Sequence, residues 1–188
     1  MGVDKMFTVE FDENTLHNIE NKFIEFPEQA PRALASALNR VSAMSKTRMV
    51  KNAAQTYTVK YGELLRGLTT KKAFPGKLIA EINSSGNYLG LDHFQLNPSV
   101  RVGKMPVTAI VKKGNGGTLN DKTFIAYRDG HLGAFERLGS GRLPIKRKYG
   151  PSAPQMLGPT TWLPDLDEFM SQKLNERFEH ELNRLLSM

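Results

Sequence analysis

The chain has no cysteine in its 188 residues, which removes disulfides and thiolate metal sites and is compatible with assembly in a reducing cytoplasm. No apolar run approaches the roughly 20 residues of a membrane span. The N-terminus, MGVDKMFTVEF, lacks the charged start and apolar segment of a signal peptide. The expectation is therefore a soluble protein with no membrane contact and no recognisable export signal. The hydrophobic fraction is 39%.

Glycine and proline are plentiful, 16 and 10 respectively, so irregular loops must occupy much of the length. The length itself fits one domain able to bury one continuous core. No internal repeat and no second domain is visible, and a loop-rich assembly subunit suits this composition.

Charge is unevenly placed around a net +7. Residues 1–30 hold seven acids against two bases, 31–100 hold ten bases against three acids, 101–150 hold eleven against three, and 165–188 hold three against six. A basic middle between acidic ends suits either nucleic acid or acidic neighbours in an assembly. It equally suits solvated Lys and Arg faces, and charge alone does not choose.

The pattern along the chain predicts an α+β fold. After an extended start at 7–11, Asp12 can cap a helix with Leu16, Ile19, Phe23 and Ile24 at helical spacing, ended by Pro27. Pro31 suits the first turn of a second helix, striped by Leu34, Ala37, Leu38, Val41 and Met44 and ending near Lys51, and the two read as a helical hairpin. Thr58 can cap a weaker third helix through Leu64, Leu65 and Leu68, interrupted by Gly62 and Gly67.

Strand patterns follow at 77–83, 107–112 and 123–127, with a flexible loop or hairpin tip over 113–121 between the last two. Pro151, Pro154, Pro159 and Pro164 predict an extended arm over 150–164. A final helix over 165–187 carries Leu166, Phe169, Met170, Leu174, Phe178, Leu182, Leu185 and Leu186 on one face. Together these give a single domain, 1–188, with a helical part at about 12–70, one antiparallel sheet at about 77–149, the arm, and the terminal helix packed on the sheet.

Each candidate for chemistry has a simpler explanation. His17, His93, His131 and His180 are scattered, and Arg184 stands where a zincin motif begun at His180-Glu181 needs its second His, so surface or interface histidine is preferred. Asp165, Glu168 and Lys173 superficially match the acidic pair and lysine of a metal-dependent nuclease. They open an amphipathic helix, where capping and dipole stabilisation account for them. Gly114-Asn115-Gly116-Gly117 and Gly139-Ser140-Gly141 lack a following Gly-Lys-Ser/Thr and read as turns. Trp162, Tyr149 and Phe135 interleave with bases as stacking platforms would, but interface or core anchors suit them better, Trp162 above all. No cofactor, metal or catalytic set is assigned, and the chain reads as non-enzymatic.

The stretch FIAYRDGHLGAFERLGSGRLPIKRKYGPSAPQML, 124–157, is built to present a surface. It alternates short apolar groups with Arg and Lys, is punctuated by glycines, and holds no nucleophile beside a base. Its basic cluster, Arg142, Lys146, Arg147 and Lys148, reads as a contact to a neighbouring subunit's acidic surface or to DNA, against the simpler reading of a lysine-guarded strand edge. Predicted interface residues are Arg142, Lys146, Arg147, Lys148, Tyr149, Trp162 and Phe178.

The ordered series aromatic-Ile-Ala-Tyr-Arg-x-Gly, Phe-Glu-Arg, Arg-Leu-Pro-Ile, Tyr-Gly-Pro-Ser and Pro-Gln-Met-Leu resembles the C-terminal signature of phage minor tail protein Z and related tail completion proteins. The likeness extends more weakly to 57–82 and the Ala-rich helix before it. It implies a non-enzymatic virion component at the head-proximal end of a bacteriophage tail, assembled in the host cytoplasm and completing the tail for head-tail joining. It further implies a ring of six copies, contacting the tail tube or terminator on one side and the neck connector on the other, with packaged DNA nearby. The alternatives are a stand-alone basic DNA-binding protein and, behind it, a nuclease.

Overall fold

The computed structural model describes residues 3–11, 19, 21–100, 103, 105–119, 121–128, 130–158 and 163–187. The chain forms two compact units, each discontinuous in sequence: a sheet unit of residues 1–3, 50–67 and 85–157, and a helix unit of residues 4–49, 68–84 and 158–188. The fold class is α+β, as the sequence pattern predicts.

Strand β1 (Val3–Val9) belongs to the helix unit from Asp4 onward. Ile19 and residues 21–25 are helical, while Asp12 and Leu16 lie outside the described residues. Ile24 does not belong to a buried stripe, being 80% exposed, whereas Ile19 is buried. The chain turns at Pro27 and enters helix α1 (Gln29–Thr56), which passes into the sheet unit after Met49. Pro31 sits in the first turn, where its missing N–H breaks no intrahelical bond. Ala30, Ala33, Leu34, Ala37, Leu38, Val41, Ser45 and Met49 are buried at steps of three and four, the signature of one helical face. Met44, expected in that stripe, is only half-buried, and Ser45 takes its place.

Asn39 anchors α1 to the following strand region by donating from Nδ2 to the Ala73 carbonyl (2.9 Å) and accepting from the Ala73 N–H at Oδ1 (2.8 Å). Strands β2 (Leu68–Lys71) and β3 (Ala80–Gly86) pair antiparallel, and β1 completes the order β1-β3-β2. The strand starts later than its alternation suggests because Phe74 and Lys77 close a tight turn with reciprocal backbone hydrogen bonds of 3.0 and 2.8 Å.

The terminal helix, labelled α4 (Leu163–Leu186), buries Leu166, Met170, Leu174, Phe178 and Leu182, one residue every fourth position. Phe169 and Leu185 are half-buried, and Leu186, at the fraying end, is exposed rather than part of the face. Phe178 meets the buried Phe11 edge-on, with ring centroids 6.2 Å apart. Lys22 pairs with Glu179 at 2.6 Å, tying the first helical turn to α4.

In the sheet unit, Thr58 does not cap a helix. Its N–H donates to the Val111 carbonyl (3.1 Å), its hydroxyl to that of Ile110, and it accepts from the Gln95 N–H (3.2 Å). Helix α2 (Tyr61–Arg66) therefore starts after Lys60 with no side-chain cap and stops at Gly67, leaving Leu68 to open β2.

The single expected sheet is replaced, over the whole chain, by four small ones among the described residues. In the sheet unit, β4 (Tyr88–Gly90) pairs with β11 (Tyr149–Ser152); β5 (Gln95–Asn97), β6 (Thr108–Lys112) and β7 (Asn115–Thr118) form a second sheet. Strands β8 (Thr123–Arg128), β9 (His131–Arg137) and β10 (Ile145–Arg147) form a third. The strands are short, and most pair with a neighbour in sequence, whereas β4 and β11 are joined across about 60 residues. A three-residue 3-10 turn, Leu91–His93, separates β4 from β5. The expected loop after Lys113 is mostly strand β7, reached through a two-residue turn in which Gly114 adopts φ +83°, a conformation costly for any residue with a Cβ.

The Pro-rich arm is also corrected. Pro151 lies in β11 where the register shifts, so no ladder bond needs its missing N–H. Helix α3 (Ala153–Leu157) follows, with Met156 and Leu157 fully buried. Its start is half of a capping box: the Gln155 Oε1 accepts from the Ser152 N–H (3.0 Å) and hydroxyl (3.3 Å). Pro154 falls within the first turn, where it is tolerated.

Candidate assembly interface

Two consecutive hairpins build the surface with most functional promise. Strand β8 pairs with β9 from Thr123↔Glu136 to Arg128↔His131, and β9 with β10 from Ile145↔Arg137 to Arg147↔Phe135. Because side chains alternate across a sheet, Ile125 and Ala134 share one face and are buried, whereas Phe124, Ala126, Phe135 and Ile145 share the other.

That second face floors a cleft of about 400 Å³, walled by the 70%-exposed Leu143 and rimmed by Arg128, Arg137 and Arg142. The Phe124 and Phe135 rings lie 6.2 Å apart, and the Arg137 guanidinium sits 4.7 Å above Phe124, a cation–π distance. Arg137 also donates from Nη1 to the Arg142 carbonyl (3.0 Å), which shapes the loop between β9 and β10. No carboxylate is among the described residues lining the cleft.

The predicted basic cluster splits in two. Arg147 donates from Nη2 to Asp92 Oδ1 at 2.8 Å and lies 5.8 Å from the Tyr149 ring centroid. Lys148 pairs with Glu136. These two bases hold the unit together, while Arg142 and Lys146 are exposed. Gly90 makes room for the first pair: a Cβ there would stand 2.3 Å from Asp92 Oδ1 and 2.7 Å from Arg147 Nη2. Tyr149 and Tyr88, on the paired strands β11 and β4, are both about half exposed.

Sequence reading missed an extension of this network. His93 Nδ1 lies 3.5 Å from Glu63 Oε2 and its Nε2 3.7 Å from Asp92 Oδ2, while Glu63 Oε1 pairs with Arg66 at 2.5 Å. The series Arg66, Glu63, His93, Asp92, Arg147 thus alternates basic side chains with carboxylates, with His93 lying between two acids. Only the Glu63/Arg66 spacing is visible as a helical pair; the rest is joined by folding.

The remaining candidates do not converge. Phe178 is in the interior of the helix unit at 1% exposure, so it presents no surface. Trp162 and His17 lie outside the described residues. Asp165 and Glu168 open α4 as exposed side chains; Glu168 accepts from Gln172 (3.0 Å) and Lys173 pairs with Glu176 (2.5 Å). His131 and His180 are exposed, the latter 4.0 Å from Glu181, which pairs with Arg184. Among the described residues no group of three His, Asp or Glu is placed to hold a metal ion, and no helix is long and apolar enough to cross a membrane.

Comparison with known proteins adds identity to this geometry. No curated protein and no solved structure matches the chain. Residues 16–188 match the family described as prophage minor tail protein Z (GPZ), a span that takes in the helix unit's α1 and α4 and nearly the whole sheet unit. The chain belongs to the prophage minor tail protein Z family and is a structural protein of a bacteriophage tail.

Proposed function

We propose that this minor tail protein completes the head-proximal end of the tail, so that the finished tail can join the DNA-filled head. It acts as a closed ring, six copies by the symmetry of tail tubes, between the tail tube or its terminator and the neck connector. The observation that carries the reading is the family match over 16–188, whose signature stretch folds here into the cleft-bearing hairpins and the capped helix α3.

A ring needs heterologous contacts, in which one patch of a subunit meets a different patch of the next. The charge partition supplies such a pair. The sheet unit holds 14 Lys and Arg against 5 Asp and Glu, net +9, and the helix unit 12 against 14, net −2.

The test is loss of the chain during infection. Tails of normal length and separate DNA-filled heads, with few or no joined infectious particles, are expected. Tails of aberrant length would reassign the chain to length control or termination, and empty heads to packaging; normal infectious yield would remove the role. The +9 of the sheet unit favours one second reading, a DNA-binding protein acting alone. Tight binding of duplex DNA by the isolated chain, falling steeply with salt, would support it.

A further inference from the structure

The arginine-rimmed cleft on β8, β9 and β10 has an apolar floor and no carboxylate of its own among its described lining residues. An apolar side chain flanked by acids would match this floor and the exposed Arg142 at its rim. Duplex DNA offers the charge but nothing to fill a floor of Phe124, Phe135 and Ile145. The same chain carries a matching segment in its helix unit. Ile24, 80% exposed, is the most exposed large hydrophobic among the described residues, and Glu25 and Glu28 beside it are exposed as well.

We propose that the Ile24-Glu25-Phe26-Pro27-Glu28 turn of one copy docks in the cleft of the next, with Ile24 against Leu143 and the apolar floor and the two glutamates facing the exposed Arg142. Donor and acceptor are different surfaces, one on the acidic unit and one on the basic unit. The contact is head-to-tail and repeats around a ring. It combines a buried apolar anchor with a charged rim, the arrangement that concentrates binding energy while excluding water. This inference rests on the ring reading above and assigns that ring its subunit contact.

The absence of native cysteine makes a direct test possible. A disulfide forms only when Cα atoms come within about 7 Å, so a bond between introduced cysteines reports the contact itself. Ile24→Cys and Leu143→Cys proteins, purified separately, mixed and mildly oxidised, should yield a disulfide-linked dimer. Each alone should give none, and the double variant should give a ladder of linked oligomers. Tyr88→Cys in place of Leu143→Cys, at another exposed position outside the cleft, should lose the dimer. Light scattering on the unmodified chain separates the failures. Oligomers without the Ile24/Leu143 cross-link would overturn the docking and leave the ring reading standing, whereas a monomer at all concentrations with no cross-link would overturn both.

Discussion

In the helix unit the long apolar side chains point inward at regular steps, and only Met6, Ile24, Phe74 and Leu186 among its described large hydrophobics are exposed. The sheet unit leaves eight exposed, among them Tyr88, Tyr127, Leu138, Leu143 and Tyr149, and it carries most of the positive charge. Small sheets of short strands cannot cover both of their faces, so apolar and cationic side chains collect at their surfaces. Amphipathic helices close over one another more fully. The division assigns burial chiefly to one unit and presentation chiefly to the other.

The strongest way to break the comparison is to attack the helix unit where it is most closed. Phe178→Asp removes a buried ring and puts a carboxylate among Phe11 and its apolar neighbours. Large-to-small changes of this kind cost about 3–5 kcal/mol before any buried charge is counted. Denaturant titration should show loss of cooperative unfolding, or the chain should be recovered only as aggregate. A variant that melts like the parent would show that α4 is not held through this face.

The next largest effect lies in the sheet unit, where Gly90→Ala must push apart Asp92 and Arg147. Overpacking of this sort costs about 1–3 kcal/mol. Part of that penalty should vanish in an Arg147→Ala background, since no guanidinium then competes for the space. A double-mutant cycle measured by denaturation reads the coupling. Strict additivity would mean that the ion pair already yields elsewhere.

Ser152→Ala removes a buried hydroxyl that donates to the Gln155 Oε1 at the start of α3 and should cost about 1 kcal/mol, the usual net worth of one hydrogen bond. Gln155→Ala should cost a similar amount, and the two together less than their sum, because the side chains bond to each other.

These positions also show what the sequence could reveal. The α4 stripe was legible because helical periodicity is local: Leu166, Met170, Leu174, Phe178 and Leu182 announce their common face within one segment. The α3 start is equally present as Ser152-x-x-Gln155, but Pro151, Pro154, Pro159 and Pro164 around it carry the local signal of an extended arm. The Arg147–Asp92 pair spans 55 residues, and only the folded ladders bring its partners together. Arg142, Lys146, Arg147 and Lys148 therefore look alike as a run of bases, although two are half-buried and paired within the fold and two are exposed. The number of sheets was illegible for a related reason: local alternation marks strands, but where one sheet ends and which strands pair across the chain, as β4 does with β11, is decided only on folding.

The smallest effect on stability should come from the two outward bases, and for that reason it is the most telling about function. Arg142→Glu with Lys146→Glu changes exposed side chains and should shift unfolding by no more than about 0.5 kcal/mol. Arg147→Glu with Lys148→Glu sets like charges against Asp92 and Glu136 and should lower stability clearly. If the sheet unit presents its charge to an acidic neighbour, the first pair of changes should still weaken self-association, and more at low salt than at high. Screening shortens the reach of charge to about 10 Å at 0.1 M ionic strength, so much of the attraction is already gone there. Sedimentation of both double variants across a salt series separates the two roles. Lost assembly with full stability, confined to the Arg142 and Lys146 variant, identifies a presented surface; equal loss at every salt level would assign the contact to packing by Leu143 and its floor instead.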